Sequence, residues 1–69
     1  MNDLEKLAKL LPHWIEHNDE HAETYRDWAH RASALGRNDL SEVLQRLCDE
    51  TIRMRSLFED ALEKVQQVR

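Results

Sequence analysis

Apolar residues in the first half of the chain recur every three or four positions from Leu4 onward. The positions are Leu4, Leu7, Leu11, Trp14, Tyr25, Trp28, Ala32 and Leu35. This spacing places the side chains in one stripe along an α-helix and is the heptad pattern of helices that pack side by side. Asn18 and His21 occupy the stripe positions between Trp14 and Tyr25. The pattern predicts a helix over about residues 3–35 with a polar interruption in its middle.

The second half of the chain repeats the stripe with Thr51 as its single polar member. Its positions are Leu40, Leu44, Leu47, Thr51, Met54, Phe58, Ala61, Val65 and Val68. Between the two stripes, Gly36 suits the left-handed conformation that ends a helix. Asn38 or Asp39 can cap the next helix, since Asp39 and Glu42 are spaced as a capping box. We therefore expect a turn at residues 36–39 and a second helix over about residues 40–68.

Pro12 lies inside the first predicted helix. A proline has no backbone N–H, and its ring clashes with the carbonyl one turn earlier. The heptad spacing nevertheless continues through Pro12 without a change of phase. We expect a kink near residues 8–12, or a short helix followed by a second one.

Two long helices and one short turn predict an all-α antiparallel helical hairpin that forms a single domain over residues 1–69. Pairing the stripes about Gly36 gives partners whose numbers sum to about 72, which places His21 beside Thr51, and a slip of one layer stays open. Further apolar residues flank the stripes: Ala8, Ile15, Ala22, Ala29, Val43, Leu57 and Leu62. Stripes this wide exceed what a two-helix contact covers. We expect a homodimeric four-helix bundle, or a partner protein docked on the apolar flank.

Composition narrows the classes of function. The 69 residues include 14 Asp and Glu against 10 Lys and Arg, and the basic residues are scattered, which disfavours nucleic-acid binding. Cys48 has no second cysteine to pair with, and no segment has the apolar length of a signal peptide or membrane span. We expect a soluble, cytoplasmic protein that does not bind membranes. It is not expected to be an enzyme, because a two-helix chain offers no nucleophile with an oriented base in a dry pocket.

Histidines and carboxylates cluster in the middle of the first predicted helix. Within nine residues the chain places His13, Glu16, His17, Glu20 and His21 at steps of three and four. Two histidines four residues apart can chelate one transition-metal ion. All three histidines cannot easily share one ion, because eight residues of helix advance about 12 Å. The candidate metal ligands are His13, His17, His21 and Glu20, and an imidazole and carboxylate set suits nickel, cobalt or zinc.

Simpler interpretations of these residues stay open. The histidines and glutamates can be solvated surface residues, and motif matches of this kind are often false. Asn18 and His21 can instead be polar seam residues that fix the register of the helices, which is the interpretation we favour for Asn18. Cys48 lies next to the stripe, where a small side chain packs well, so a buried structural cysteine is expected.

The segment from His13 to His21 resembles a family of small, poorly characterised helical-hairpin domains whose signature is H-W-x-x-H-N-x-x-H. The positions that match are His13, Trp14, His17, Asn18 and His21. Trp28, seven residues beyond the signature, also matches the family. Some members of that family look to be associated with nickel- or cobalt-handling proteins. The resemblance implies a hairpin fold and a role in metal handling, and it covers the first helix better than the second.

Overall fold

The computed structural model describes residues 2–67 as two helices, α1 (Asp3–Ala34) and α2 (Asn38–Gln66), which pack against each other as an antiparallel hairpin. The hairpin is a narrow rod with extents of 54 × 16 × 11 Å. Residues 2–67 contain no strand, so the predicted all-α hairpin is confirmed. Across the same residues, neither helix is both long and apolar enough to cross a membrane.

The first helix begins with a reciprocal cap. The side-chain oxygen of Asn2 accepts a hydrogen bond from the backbone N–H of Glu5 at 2.8 Å, and the Glu5 carboxylate accepts one from the backbone N–H of Asn2 at 3.0 Å. From there α1 runs through Pro12 as one helix. The predicted alternative of two successive helices is therefore wrong. The kink near residues 8–12 stays a prediction.

Gly36 ends α1 with the predicted left-handed backbone, at φ 81°. The N–H of Gly36 donates to the carbonyl of Ser33 at 3.0 Å, and that of Arg37 donates to the carbonyl of Ala32 at 2.9 Å. This pair of bonds is a Schellman motif, which satisfies carbonyl groups left free at the helix end. The connection spans only residues 35–37, so the predicted turn at residues 36–39 is too long.

The start of α2 differs from the prediction for the same reason. The motif at Gly36 reverses the chain so quickly that the helix begins at Asn38 and its N-cap is Arg37, which has no side-chain cap. Asn38 and Asp39 are thus not caps. Asp39 instead accepts a hydrogen bond from Arg37 Nε at 3.2 Å, and this guanidinium lowers the pKa of the Asp39 carboxyl. Val68, the predicted last stripe member, lies outside the described residues.

The contact between the two helices, which we call the seam, is built from small side chains. Its buried members are Leu11, Asn18, Ala22, Ala29 and Ala32 of α1 and Cys48 and Thr51 of α2. Half-buried residues complete it: Leu7, Ala8, Ile15, Tyr25, Ser41, Leu44, Phe58, Ala61, Leu62 and Val65. The predicted stripes were only half right, because their remaining large members lie on the surface. Alanines at the seam let two helices approach closely, whereas a tryptophan there would hold them apart.

The register of the seam is fixed by two hydrogen bonds between the helices. Asn18 Nδ2 donates to the carbonyl of Thr51 at 2.7 Å, and Ser41 Oγ donates to the carbonyl of Ala29 at 2.7 Å. These pairs sum to 69 and 70, so the register is shifted by two or three from the predicted sum of about 72, which is close to the one-layer slip that the sequence left open. The predicted pairing of His21 with Thr51 is wrong, since His21 is exposed. The interpretation of Asn18 as a buried, hydrogen-bonded seam residue is confirmed.

Candidate docking face

One broad side of the hairpin exposes large apolar side chains along its length, and we call it the apolar face. Its members are Leu10, Trp14, Trp28 and Leu35 of α1 and Leu40, Val43, Leu47, Met54 and Leu57 of α2. Trp28 is 52% exposed and Leu57 is 68% exposed. Contiguous exposed apolar surface of this kind is uncommon on isolated domains and marks interaction sites.

Helix geometry explains why these residues share one side. Trp14 follows the seam residue Leu11 by three positions, and Met54 follows the seam residue Thr51 by three. A step of three residues places a side chain about 60° around the helix from the first, in the same sense on both helices. Because α1 and α2 run antiparallel and face each other, equal rotations lead to the same broad side of the hairpin. The two exposed stripes therefore join into a single surface.

The opposite broad side is polar and carries an ion pair between the helices; we call it the ion-paired face, defined by Asp19, Arg55 and Glu59. Arg55 Nη1 lies 2.6 Å from Asp19 Oδ2, and Arg55 Nε lies 2.9 Å from Glu59 Oε2. Glu59, with a smaller contribution from Asp19, raises the pKa of Arg55 above its ordinary value. Ile52, which follows Thr51 by one position, is the large apolar residue exposed on this side, at 53%.

Trp28 is held against its own helix by a neighbouring cation. The Arg31 guanidinium carbon lies 4.6 Å from the centroid of a Trp28 ring, within the range of a cation–π interaction. The contact orients the indole while leaving half of its surface exposed. Aromatic side chains with an ordered orientation lose little entropy on association and often dominate binding energies.

The histidines fan around α1 and do not converge. His13, His17 and His21 are all exposed, and each step of four residues turns the next side chain by about 40° and raises it by about 6 Å. His17 Nδ1 lies 3.5 Å from Glu20 Oε1, and both side chains are about two-thirds exposed. Across residues 2–67, no three His, Cys, Asp or Glu side chains are placed to hold one ion. A single hairpin thus joins only two of the predicted ligands.

His21 lies on the apolar face. It follows Asn18 by three positions, as Trp14 follows Leu11, and its ring stacks on that of Tyr25 with a centroid distance of 6.1 Å and an interplanar angle of 14°. The heptad spacing correctly grouped His21 with Trp14 and Trp28, but it assigned the group to the seam. The signal that separates the two surfaces is side-chain size, because Ala22 and Ala29 each follow a large stripe member by one position.

The remaining chemistry-bearing residue is Cys48, which is 1% exposed in the seam and has a free thiol. The expected buried structural cysteine is confirmed in its placement. No cavity of ligand size was found among the residues that the structure describes. Outside the seam, the features that distinguish this hairpin are the apolar face and the exposed histidines on and beside it.

Comparison with curated proteins and with solved structures finds no match to this chain. A family model, described as a domain of unknown function, DUF8180, matches residues 7–65. That match includes the whole seam and the apolar face, and it agrees with the resemblance to a small, uncharacterised domain family. The chain belongs to this family of unknown function, DUF8180.

Proposed function

We propose that the protein is a non-catalytic self-association module, in which two hairpins pack through their apolar faces into a four-helix bundle. The observation that carries this proposal is the segregation of large apolar side chains. Small residues fill the seam, while both tryptophans and most large aliphatic side chains of the exposed surface lie on one broad side. Helical hairpins with such a face bury it against a second hairpin in bundles of four.

The amount of exposed surface supports a second copy as the occupant. The chain exposes 5495 Å², whereas a folded monomer of its mass, 8.2 kDa, is expected to expose about 4500 Å². The surplus is about 1000 Å², which is comparable to the roughly 800 Å² that each partner buries in a stable complex. The surplus surface of one folded hairpin is therefore large enough to form its half of a dimer interface.

The edges of the apolar face also fit an interface. On the α1 edge His17 is paired with Glu20, and on the α2 edge Arg53 Nη1 lies 3.2 Å from Glu50 Oε2. Stable interfaces have an apolar centre surrounded by polar groups that stay in contact with water. The α2 edge thus carries a balanced ion pair and the α1 edge carries an imidazole beside a carboxylate, so polar groups border the face on both long sides.

A pair of matched substitutions tests self-association. Leu47 lies on the apolar face at 43% exposure, and Ile52 lies on the ion-paired face of the same helix at 53% exposure. Sedimentation equilibrium should show a dimer for wild type and for Ile52→Glu, whereas Leu47→Glu should raise the dimer Kd at least about 100-fold, as expected when a charge is buried at an interface centre. Circular dichroism should show both variants helical.

Two outcomes contradict the proposal. A folded wild-type monomer up to high micromolar concentration would exclude self-association and leave a different protein as the occupant of the face. Equal loss of the dimer in Ile52→Glu and Leu47→Glu would show that association does not use the apolar face.

Metal binding is a second candidate function, and a different observation favours it. His17 and His21 are four residues apart on α1, both are exposed, and Glu20 lies beside His17. Pairs of this spacing are the donor arrangement that helices use for zinc and related ions. The resemblance stated above, in which some family members look to be associated with nickel- or cobalt-handling proteins, suggests nickel, cobalt and zinc as the ions to try.

Calorimetry with nickel, cobalt and zinc chlorides tests metal binding on the full chain. His17→Ala should weaken binding by at least about tenfold, in the range seen when a ligand or its supporting shell is lost. His30→Ala is the matched control, since His30 lies exposed on α1 outside the cluster. Equal weak binding by wild type and His17→Ala would exclude a site that uses this cluster.

A further inference from the structure

His21 lies near the middle of α1, which spans Asp3–Ala34, and in the middle of the apolar face. Trp14 precedes it by seven residues and Trp28 follows it by seven, so the imidazole replaces a large apolar side chain at the centre of the stripe. When two faces pack, the centre loses contact with water first and most completely. Self-association would therefore bury His21, which a single hairpin leaves exposed.

A buried imidazole needs partners for its ring nitrogens. Two nearby seam donors are already engaged, because Asn18 Nδ2 donates to the carbonyl of Thr51 and Thr51 Oγ1 donates to the carbonyl of Leu47. The α2 stripe on this side holds aliphatic members of the apolar face together with Glu50, which lies seven residues from both Val43 and Leu57 and is paired with Arg53. Association that removes water from His21 therefore calls for a new partner for its ring nitrogens, and the second copy can provide one.

Two-fold symmetry supplies that partner. A two-fold axis parallel to the helices places the two copies of His21 at the same level along the bundle. A two-fold axis that runs across the helices, through the middle of the interface, brings the two copies of His21 close together. In both cases the equivalent imidazoles approach the centre of the bundle. His17 lies one turn earlier at the edge of the same face, so each copy contributes two imidazoles on neighbouring turns.

We propose that two copies bind one divalent transition-metal ion between them through His17 and His21 of each copy. Four neutral imidazoles complete a tetrahedral set for zinc, whereas one hairpin, across residues 2–67, brings no three donors together. The proposal rests on self-association through the apolar face and adds an inorganic ligand that strengthens it. His13 is excluded from the site, because it lies a further 40° or so around the helix from His17, away from the face.

The test compares the monomer–dimer equilibrium of the full chain in EDTA and in zinc chloride. Zinc should lower the dimer Kd at least tenfold, and calorimetry should give one ion per two chains. His21→Leu, which extends the apolar face, should still form a dimer but lose the response to zinc. His13→Ala, a change of the same residue type on the same helix, should keep both the dimer and the response.

The outcomes separate this inference from self-association itself. A dimer whose Kd is the same in EDTA and in zinc overturns the shared ion and leaves the dimer standing, as does a stoichiometry of one ion per chain. Equal loss of the zinc response in His13→Ala and His21→Leu also overturns it. A monomer in both conditions overturns self-association together with the shared site.

Discussion

The seam and the apolar face lie about 60° apart on the same two helices, and both carry heptad spacing, yet they differ in side-chain size. Ala22 and Ala29 lie in the seam, and the residues one position before them, His21 and Trp28, lie on the apolar face. Small side chains allow two helices to pack closely, and large ones reach across a wider gap to a second layer. The difference teaches that the heptad pattern of this chain describes two contacts, one within the hairpin and one beyond it.

The largest expected effect comes from breaking the seam at its one large buried aliphatic residue. Leu11 is 3% exposed, so Leu11→Ala should lower the free energy of unfolding by about 2–5 kcal/mol, through lost burial and a cavity. Leu4→Ala is the matched control, because Leu4 is 61% exposed on the same helix. Urea denaturation at a fixed chain concentration measures both. Equal effects would show that the seam is not where the structure places it.

A substitution that enlarges the seam tests whether small size is required there. Ala29→Leu should destabilise the hairpin by about 1–3 kcal/mol, because the added side chain must separate closely packed helices. Ala34→Leu adds the same atoms at an exposed position on α1 and should change little. Thermal unfolding by circular dichroism distinguishes them. A stabilised Ala29→Leu would contradict the contrast between the two surfaces.

Removing the polar layer of the seam should have a smaller effect. Asn18→Ala deletes the 2.7 Å hydrogen bond to the carbonyl of Thr51, which should cost about 1 kcal/mol of unfolding free energy. We expect a larger effect on the register of the two helices, because the amide fixes which residues of α1 face α2. Loss of stability with unchanged chemical-shift dispersion would argue against a role in register.

The smallest expected effect belongs to the ion-paired face. Asp19→Asn removes the pairing of Arg55 with α1, and because Arg55 is exposed its contribution to stability is small and screened by salt. At low salt the midpoint temperature of unfolding should be slightly lower for Asp19→Asn than for wild type. This difference should vanish at about 1 M salt. Glu50→Gln, which breaks a pair within α2 only, is the control. A large, salt-independent loss would contradict this ranking.

The metal ligands named from the sequence stay a prediction, and the structure decides where their side chains lie. The spacing of His13, His17 and His21 correctly puts them on one helix, and the structure shows them exposed with only Glu20 beside His17. The prediction that His21 lies in the seam was wrong, because His21 lies on the neighbouring stripe of the same helix, the apolar face. Spacing of three and four residues fits either of two neighbouring stripes, and the choice between them depends on how closely the helices approach.

The sequence by itself determined two long helices, their reversal at Gly36 and a surplus of apolar surface, because periodicity and a left-handed glycine act locally. Only the tertiary structure decided which stripe is buried and which register the helices take. That decision depends on burying Ala22, Ala29 and Cys48 between the helices and on the hydrogen bond from Asn18 to Thr51. Packing of this kind joins residues more than thirty positions apart, and no local pattern records it.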